Sequence, residues 1–526
     1  MIPDIEQEIL RTKVGPQWSR IGIRHHHGID LPLSALHSQQ SCGIGEFYDL
    51  IPLIDWCQQV GMDVIQLLPL NDSGDDPSPF FALSSLALNP LFISLHKLEG
   101  ADPKKLKELR HFNLLPRISY HEVQSHKFLF LSLYFEQMGS TTIKSSSFES
   151  YVKENDWVET YALFKVLKDV MSKNHWQTWP HDLQLQYLKK EALDRLIQKY
   201  WKETRFYIFL QFLCYQQLTK VKTYAHSKGV LLKGDIPILV SPDSADVWEY
   251  TDEFDLTLLA GHPPDPFNTE GQAWGLPIFK WDVMKERHFD WWKKRLGLAS
   301  HFYDLYRIDH VLGFFRIWAI PAGQPGKNGR WIPEHEARWL TQGKEILSIL
   351  VDESPMLPIA EDLGLVPDSV KIALTELGIC GTKVMRWEKR KENGEQFINP
   401  LHYNPISMTT VSTHDSETLA IWWNKHPSEA KVYAQYKGWD YTTHLTKGQR
   451  RELLWDSHHT SSFFHINLIG EYLALFPELI WENPHDERIN IPGVISPNNW
   501  TYRIRPPIEE MIAHEAFAEE VRNLIQ

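Results

Sequence analysis

Residues Gly229–Ile238 read GVLLKGDIPI, a near-continuous apolar run ending among polar and acidic residues, directly after a long helical pattern over Phe206–Lys228. A strand buried on both faces of a parallel sheet reads this way, because neither face needs polar alternation. Similar runs occur at Gly28–Leu33 (GIDLPL), Asp63–Leu70 (DVIQLLPL), Leu305–Val311 (LYRIDHV) and Met356–Glu361 (MLPIAE). Three more follow at Thr382–Trp387 (TKVMRW), Met408–His414 (MTTVSTH) and Arg488–Pro492 (RINIP), which brings the set to eight. Phe47–Val60 spaces its apolar residues along one helix face and stops before Gly61. Strands alternating with helices form βαβ units, and eight parallel strands can close. The sequence thus predicts an α/β fold, a (β/α)8 TIM barrel.

One segment breaks the repeat. Between the second and third strands, residues 97–200 carry helical periodicity, as in Trp157–Met171 (WVETYALFKVLKDVM). This stretch is too long for a βα loop and is read as an inserted, mainly helical subdomain, with Gly139–Ser147 (GSTTIKSSS) its most loop-like piece. No all-β domain is expected after the last strand, where Ile508–Ile525 reads as a closing helix. Residues 1–526 are expected to form a single catalytic unit.

Composition narrows the function. The chain has 526 residues, 43% of them hydrophobic and 23% charged, with a net charge of −13. That balance argues against nucleic-acid partners, which need a basic face. No run of eighteen apolar residues suggests a membrane span. The amino terminus lacks a signal-peptide pattern, and the four cysteines have no paired spacing, so a cytoplasmic protein with reduced thiols is expected. The 21 tryptophans are mostly core, yet such rings can also stack on the C–H face of a sugar.

In a barrel of this kind reactive groups sit at the carboxyl ends of the strands. Three acids take that position: Asp309 in YRIDH, Glu361 in IAEDLG and Asp415 in STHD. Glycosyl transfer with retention needs one carboxylate to attack the anomeric carbon and one carboxylic acid to protonate the leaving oxygen. A third carboxylate can stabilise the oxocarbenium-like charge. Arg307 lies two residues before Asp309 on one strand, so both side chains face the same way, and its guanidinium favours an ionised Asp309. Any one strand-end acid alone reads as an ordinary surface carboxylate or salt bridge.

The words YRIDH, AEDLG and THD, in this order, resemble those of the 4-α-glucanotransferases called amylomaltases or disproportionating enzymes, relatives of the α-amylase clan. The similarity runs along nearly the whole chain. GIDLPLSAL with GIGEF resembles the family's first strand and loop, and SPFFALSSLALNPLFI looks like its segment SPYQSFSAFAGNP. KGDIPILVSPDSADVW, GHPPDPFNTEGQAWGLPIFKW and RINIPGVISPNNWTYR resemble its third strand, its lid loop and its closing strand. The resemblance implies Asp309 as nucleophile, Glu361 as general acid and then base, and Asp415 as transition-state stabiliser. Arg307, His310, His414 and Asp362 would surround the sugar being transferred. Asp235 on the third strand and Asn490 on the eighth would also bind substrate. Phe80 would stack on a sugar, and Asp265, Phe267, Gln272 and Trp274 would belong to a lid over residues 261–281. Two tyrosines of the family are missing: Asp265-Pro266-Phe267 replaces PDYF, and Ser78-Pro79-Phe80 replaces SPY.

The expected activity moves maltodextrin segments between α-1,4-glucan chains, free or glycogen-derived. A retaining hydrolase would use the same three acids, and a non-catalytic glucan-binding barrel would not need them. No cofactor and no metal are expected. The run His25–His27 sends alternate rings to opposite faces, and Ser241–Asp246 lacks EF-hand spacing. Neither GxGxxG, GxxxxGK[ST] nor GxSxG occurs.

Overall fold

The computed structural model describes residues 2–187, 190–264, 269–390 and 396–526. Eight parallel strands form its centre: β1 (His26–Leu31), β2 (Val64–Leu67), β3 (Leu231–Ile236), β4 (Leu305–Ile308), β5 (Leu357–Ala360), β6 (Gly381–Val384), β7 (Ser407–Thr410) and β8 (Phe464–Leu468). Hydrogen-bonded pairing runs β6-β7-β8-β1-β2-β3-β4-β5. An Ile359–Cys380 parallel bridge, with Ala360 N–H donating to Cys380 O at 2.7 Å, joins β5 to β6 and closes the barrel. Closure leaves the barrel itself no edge strand.

The eighth strand is a correction. Arg488–Pro492 is not a strand; Phe464–Leu468 pairs with β1 and β7 instead. Its interior residues His465 and Asn467 are fully buried, so its sequence FHINL lacks the apolar continuity of its neighbours.

Between β2 and β3 the chain forms helices Pro103–Arg110, Tyr120–Thr142, Ser146–Glu154, Trp157–Val170 and Lys190–Lys199, then Trp201–Ser227 leads into β3. The stretch Gly139–Ser147 is mostly helical rather than loop: Thr142 ends one helix, and Ser145 caps the next by accepting the Phe148 N–H. Leu50–Val60 ends where Gly61 takes a left-handed φ of 90°, a conformation that suits glycine. The closing helix is two, Ile508–Ala513 and Glu515–Ile525.

Sheet structure also appears outside the barrel. Phe254–His262 and Gln272–Phe279 pair antiparallel, where a loop was expected from residue 261 onward. With Ile317–Pro321 and Arg330–Ile332 they make a four-stranded sheet. Its irregular register and its glycines and Pro277 hide the alternation that marks a strand. Among the described residues, no helix is long and apolar enough to cross a membrane.

Candidate active site

Barrel register assembles the site. Asp235 on β3 lies opposite Arg307 on β4, so the two side chains emerge side by side. Arg307 Nη1 donates to both Asp235 oxygens at 2.9 Å and stands 2.9 Å from Asp309 Oδ1. One buried guanidinium thus bridges two carboxylates. Burial opposes its charge, but Asp235, Asp309 and Glu361 outweigh burial and hold it ionised. Burial pushes Asp235 up to about 6, against the pull of Arg307.

Glu361, just past β5, accepts the His310 N–H at 2.9 Å on one oxygen and the Leu363 N–H at 3.1 Å on the other. Burial, helped by the negative charge of Asp309, raises its pKa to about 7 against Arg307 and those two N–H groups. Glu361 therefore keeps a proton close to neutrality while Asp309 sits against a fixed cation. His310 adopts a φ of +43°, a strained left-handed backbone that aims its N–H at Glu361. Its ring meets Trp274 edge-on at 4.9 Å, and burial lowers its pKa to about 4, so the imidazole is neutral. Gln272 accepts from the Trp274 indole N–H at 3.2 Å.

Asp415 follows β7 and is 46% exposed into the cleft. Partial desolvation by the surrounding protein would push its carboxyl up, but His414 at 3.4 Å and the Asn490 amide donating at 2.7 Å hold it below the usual carboxylate range. Asp415 stays an anion, and it keeps His414 above the ordinary imidazole value despite that ring's burial. Phe80 stacks on His414 at 5.5 Å, and Trp500 packs on Phe80 at 5.4 Å, making an aromatic wall beside Asp415.

A family model described as 4-alpha-glucanotransferase matches residues 31–509. This chain belongs to the 4-α-glucanotransferase family. It is 45% identical to the 4-alpha-glucanotransferase of Chlamydia pneumoniae over 98% of each chain. It is 31% identical to that of a Synechocystis strain, over 88% of this chain and 91% of the relative. Among solved structures it resembles an amylomaltase from Streptococcus agalactiae in complex with acarbose, with a TM-score of 0.80 and 25% identity. That match covers 95% of this chain and 98% of the other.

In this 4-α-glucanotransferase-family chain most of the residues picked from sequence meet at one barrel mouth. Asp362 does not: it is buried, and its carboxylate accepts the Thr382 N–H at 2.7 Å, bracing β6 instead of facing the cleft. Asn490 reaches Asp415 from a loop rather than from the eighth strand. Asp265 and Phe267 lie outside the described residues. Sequence reasoning missed Trp500, whose φ of +62° turns it toward Phe80, and Arg488, which donates to the carbonyls of Asn490 and Asp415. It also missed a layer beneath the site. Asp30, Gln66 and Lys233 are register neighbours on β1, β2 and β3, all buried, and Lys233 donates to Gln66. Only the two-residue spacing of Lys233 and Asp235 along one strand pointed to that layer.

Proposed function

We propose that this chain is a 4-α-glucanotransferase that moves maltodextrin segments between α-1,4-glucan chains by retaining double displacement. Asp309 attacks the anomeric carbon while Glu361 gives its proton to the glycosidic oxygen, and the leaving chain departs with that proton. A glucosyl ester on Asp309 remains. The 4-hydroxyl of an acceptor chain then loses its proton to Glu361 and attacks the same carbon, which frees Asp309. Asp415, held ionised by His414 and Asn490, stabilises positive charge on the ring in both transition states.

The observation that carries this reading is the difference in surroundings of two neighbouring carboxyls. Asp309 is bound to Arg307, and Glu361 is pushed up to about 7, so one is suited to attack and the other to donate a proton. The segment 261–281 acts as a lid: Trp274 packs on His310 beside the nucleophile and limits access of water to the ester. Phe80 and Trp500 stack on sugars, and Arg307, Asp235 and His310 position the transferred residue. Residues 97–200 form a helical insertion in one catalytic unit of 1–526. Maltodextrins and glycogen-derived chains are the substrates. A cytoplasmic location suits the four buried, unpaired cysteines.

Maltotriose provides the test. Disproportionation yields glucose together with longer maltodextrins and almost no net gain of reducing ends. A rise in reducing ends matching substrate loss marks a hydrolase and overturns the proposal.

A further inference from the structure

The opposite end of the barrel carries a second cleft. It opens where β1, β7 and β8 begin, whereas the carboxylates sit near the strands' carboxyl ends. Its volume is about 860 Å³, and its lining includes His25, His27, Tyr436, Trp455, Asp456 and His458. Ligand sites have volumes of this order, ~300–1,000 Å³.

Its floor is made of imidazoles. His25 Nδ1 lies 2.9 Å from His465 Nε2, and His27 Nδ1 lies 2.9 Å from His458 Nδ1. In each pair one nitrogen must carry the hydrogen and the other must accept it, so neither pair is doubly charged. Burial lowers His27 to about 4 and His465 to about 3, with neighbouring histidines pushing the same way. Among the described residues, no three His, Cys, Asp or Glu side chains are arranged to hold a metal ion.

The walls add aromatic platforms. Trp455 is 41% exposed, with one face covered by His459 at 3.9 Å. Tyr436 is 40% exposed and backed by Phe397 at 5.0 Å. Lys437 stands 2.9 Å from Glu452 and also bonds Asp456, so its ammonium is compensated. A highly charged ligand finds no unmatched partner among these groups. A neutral polyhydroxylated chain finds ring faces and the Nε2 atoms of His25 and His27, which the imidazole pairs leave over.

We propose that this cleft is a second α-glucan-binding site, remote from Asp309 and Glu361, which tethers polymeric substrate to the barrel. Trp455 and Tyr436 stack on glucose residues, and the cleft rim hydrogen-bonds their hydroxyls. The choice of glucan as ligand rests on the function proposed above. Tethering raises the local concentration of chain ends, so it acts on polymers and leaves short oligosaccharides alone.

The test uses the full chain carrying Asp309→Asn, run by native electrophoresis through gels containing glycogen, with and without Trp455→Ala and Tyr436→Ala. Retardation by glycogen should weaken roughly fivefold or more in the double variant, and Trp455→Phe should retain most of it. In the otherwise intact enzyme the same pair of changes should raise KM for glycogen and leave maltotriose turnover unchanged. Undiminished retardation, or a parent protein that glycogen does not retard, overturns the proposal. So does an equal loss of maltotriose turnover, which would place the effect in the fold or the active site. Weakened retardation in a protein that fails to disproportionate maltotriose would instead sink the proposed function and leave the tether standing.

Discussion

The two ends of this barrel bury titratable side chains in opposite ways. At the carboxyl end unlike groups alternate, with Arg307 between Asp235 and Asp309 and with His414 against Asp415. At the amino end, beside the Lys437–Asp456 pair, like groups face one another, His25 on His465 and His27 on His458. Alternation opposes the loss of charge on burial: Asp415 stays ionised beside His414, while Glu361 keeps its proton close to neutrality. Pairing of like rings removes charge and leaves a cluster that is inert at neutrality and sensitive to acid. The same burial therefore makes reactive groups at one end and quiet ones at the other.

The largest effect should come from breaking the alternation at its reactive point. Asp309→Asn removes the group that forms the ester, and transfer from maltotriose should fall on the order of 10⁴-fold or more. Glu361→Gln should fail comparably with maltotriose but still load from α-glucosyl fluoride, whose leaving group needs little protonation. Mass spectrometry with peptide mapping should find that adduct on Asp309; an adduct on Asp415 would reassign the roles. Next in size is Arg307→Met, which leaves Asp235 buried beside Asp309 without the guanidinium that bridges them. Urea denaturation should show a loss of about 3–5 kcal/mol, the usual penalty for stranding one partner of a buried pair. Unchanged stability would mean that the bridge is not what holds the two carboxylates.

Acid should sharpen the contrast from the other end. His27 binds its proton only near pH 4 when folded, but near 6.5 when unfolded. Between those values the unfolded chain holds more protons, so stability is full above about pH 6.5 and declines as pH falls toward 4. Denaturation midpoints at pH 4.5 and 7 should differ by roughly 2–3 kcal/mol, and His27→Gln should reduce the difference. At the carboxyl end the sign is reversed. Glu361 is the proton donor below about pH 7, so kcat/KM should fall on the alkaline side of that value. A profile flat to pH 9 would remove Glu361 from the donor role. The smallest effect belongs to the aromatic wall: Phe80→Tyr keeps the ring on His414 and should change kcat/KM by less than about threefold.

How much of this was legible follows the same division. Apolar runs ending in an acid announced β4 and β5, and strand parity alone put Arg307 on the side of Asp309. β8 was not legible, because His465 and Asn467 are buried polar residues satisfied by Ser457, Val411 and Tyr472. A strand that buries hydrogen-bonded polar groups does not read as apolar, while RINIP, with its two isoleucines, reads as a strand and is a loop. Trp500 and Arg488 were hidden for another reason. Their place in the site depends on a left-handed backbone and on carbonyl contacts, and neither leaves a periodic trace.

The hydrogen bond from the His310 N–H to Glu361 also works as a piece of machinery. The peptide that follows Asp309 is the same peptide that grips Glu361, so a shift of this loop carries both carboxyls together. Breathing of the barrel mouth then moves the pair like the jaws of a fixed-gap calliper. The Glu361 side of that gap is held by backbone N–H groups and the Asp309 side by the Arg307 guanidinium. Variation in the surrounding loops can retune which chains enter without recalibrating the stereochemistry of what happens to them.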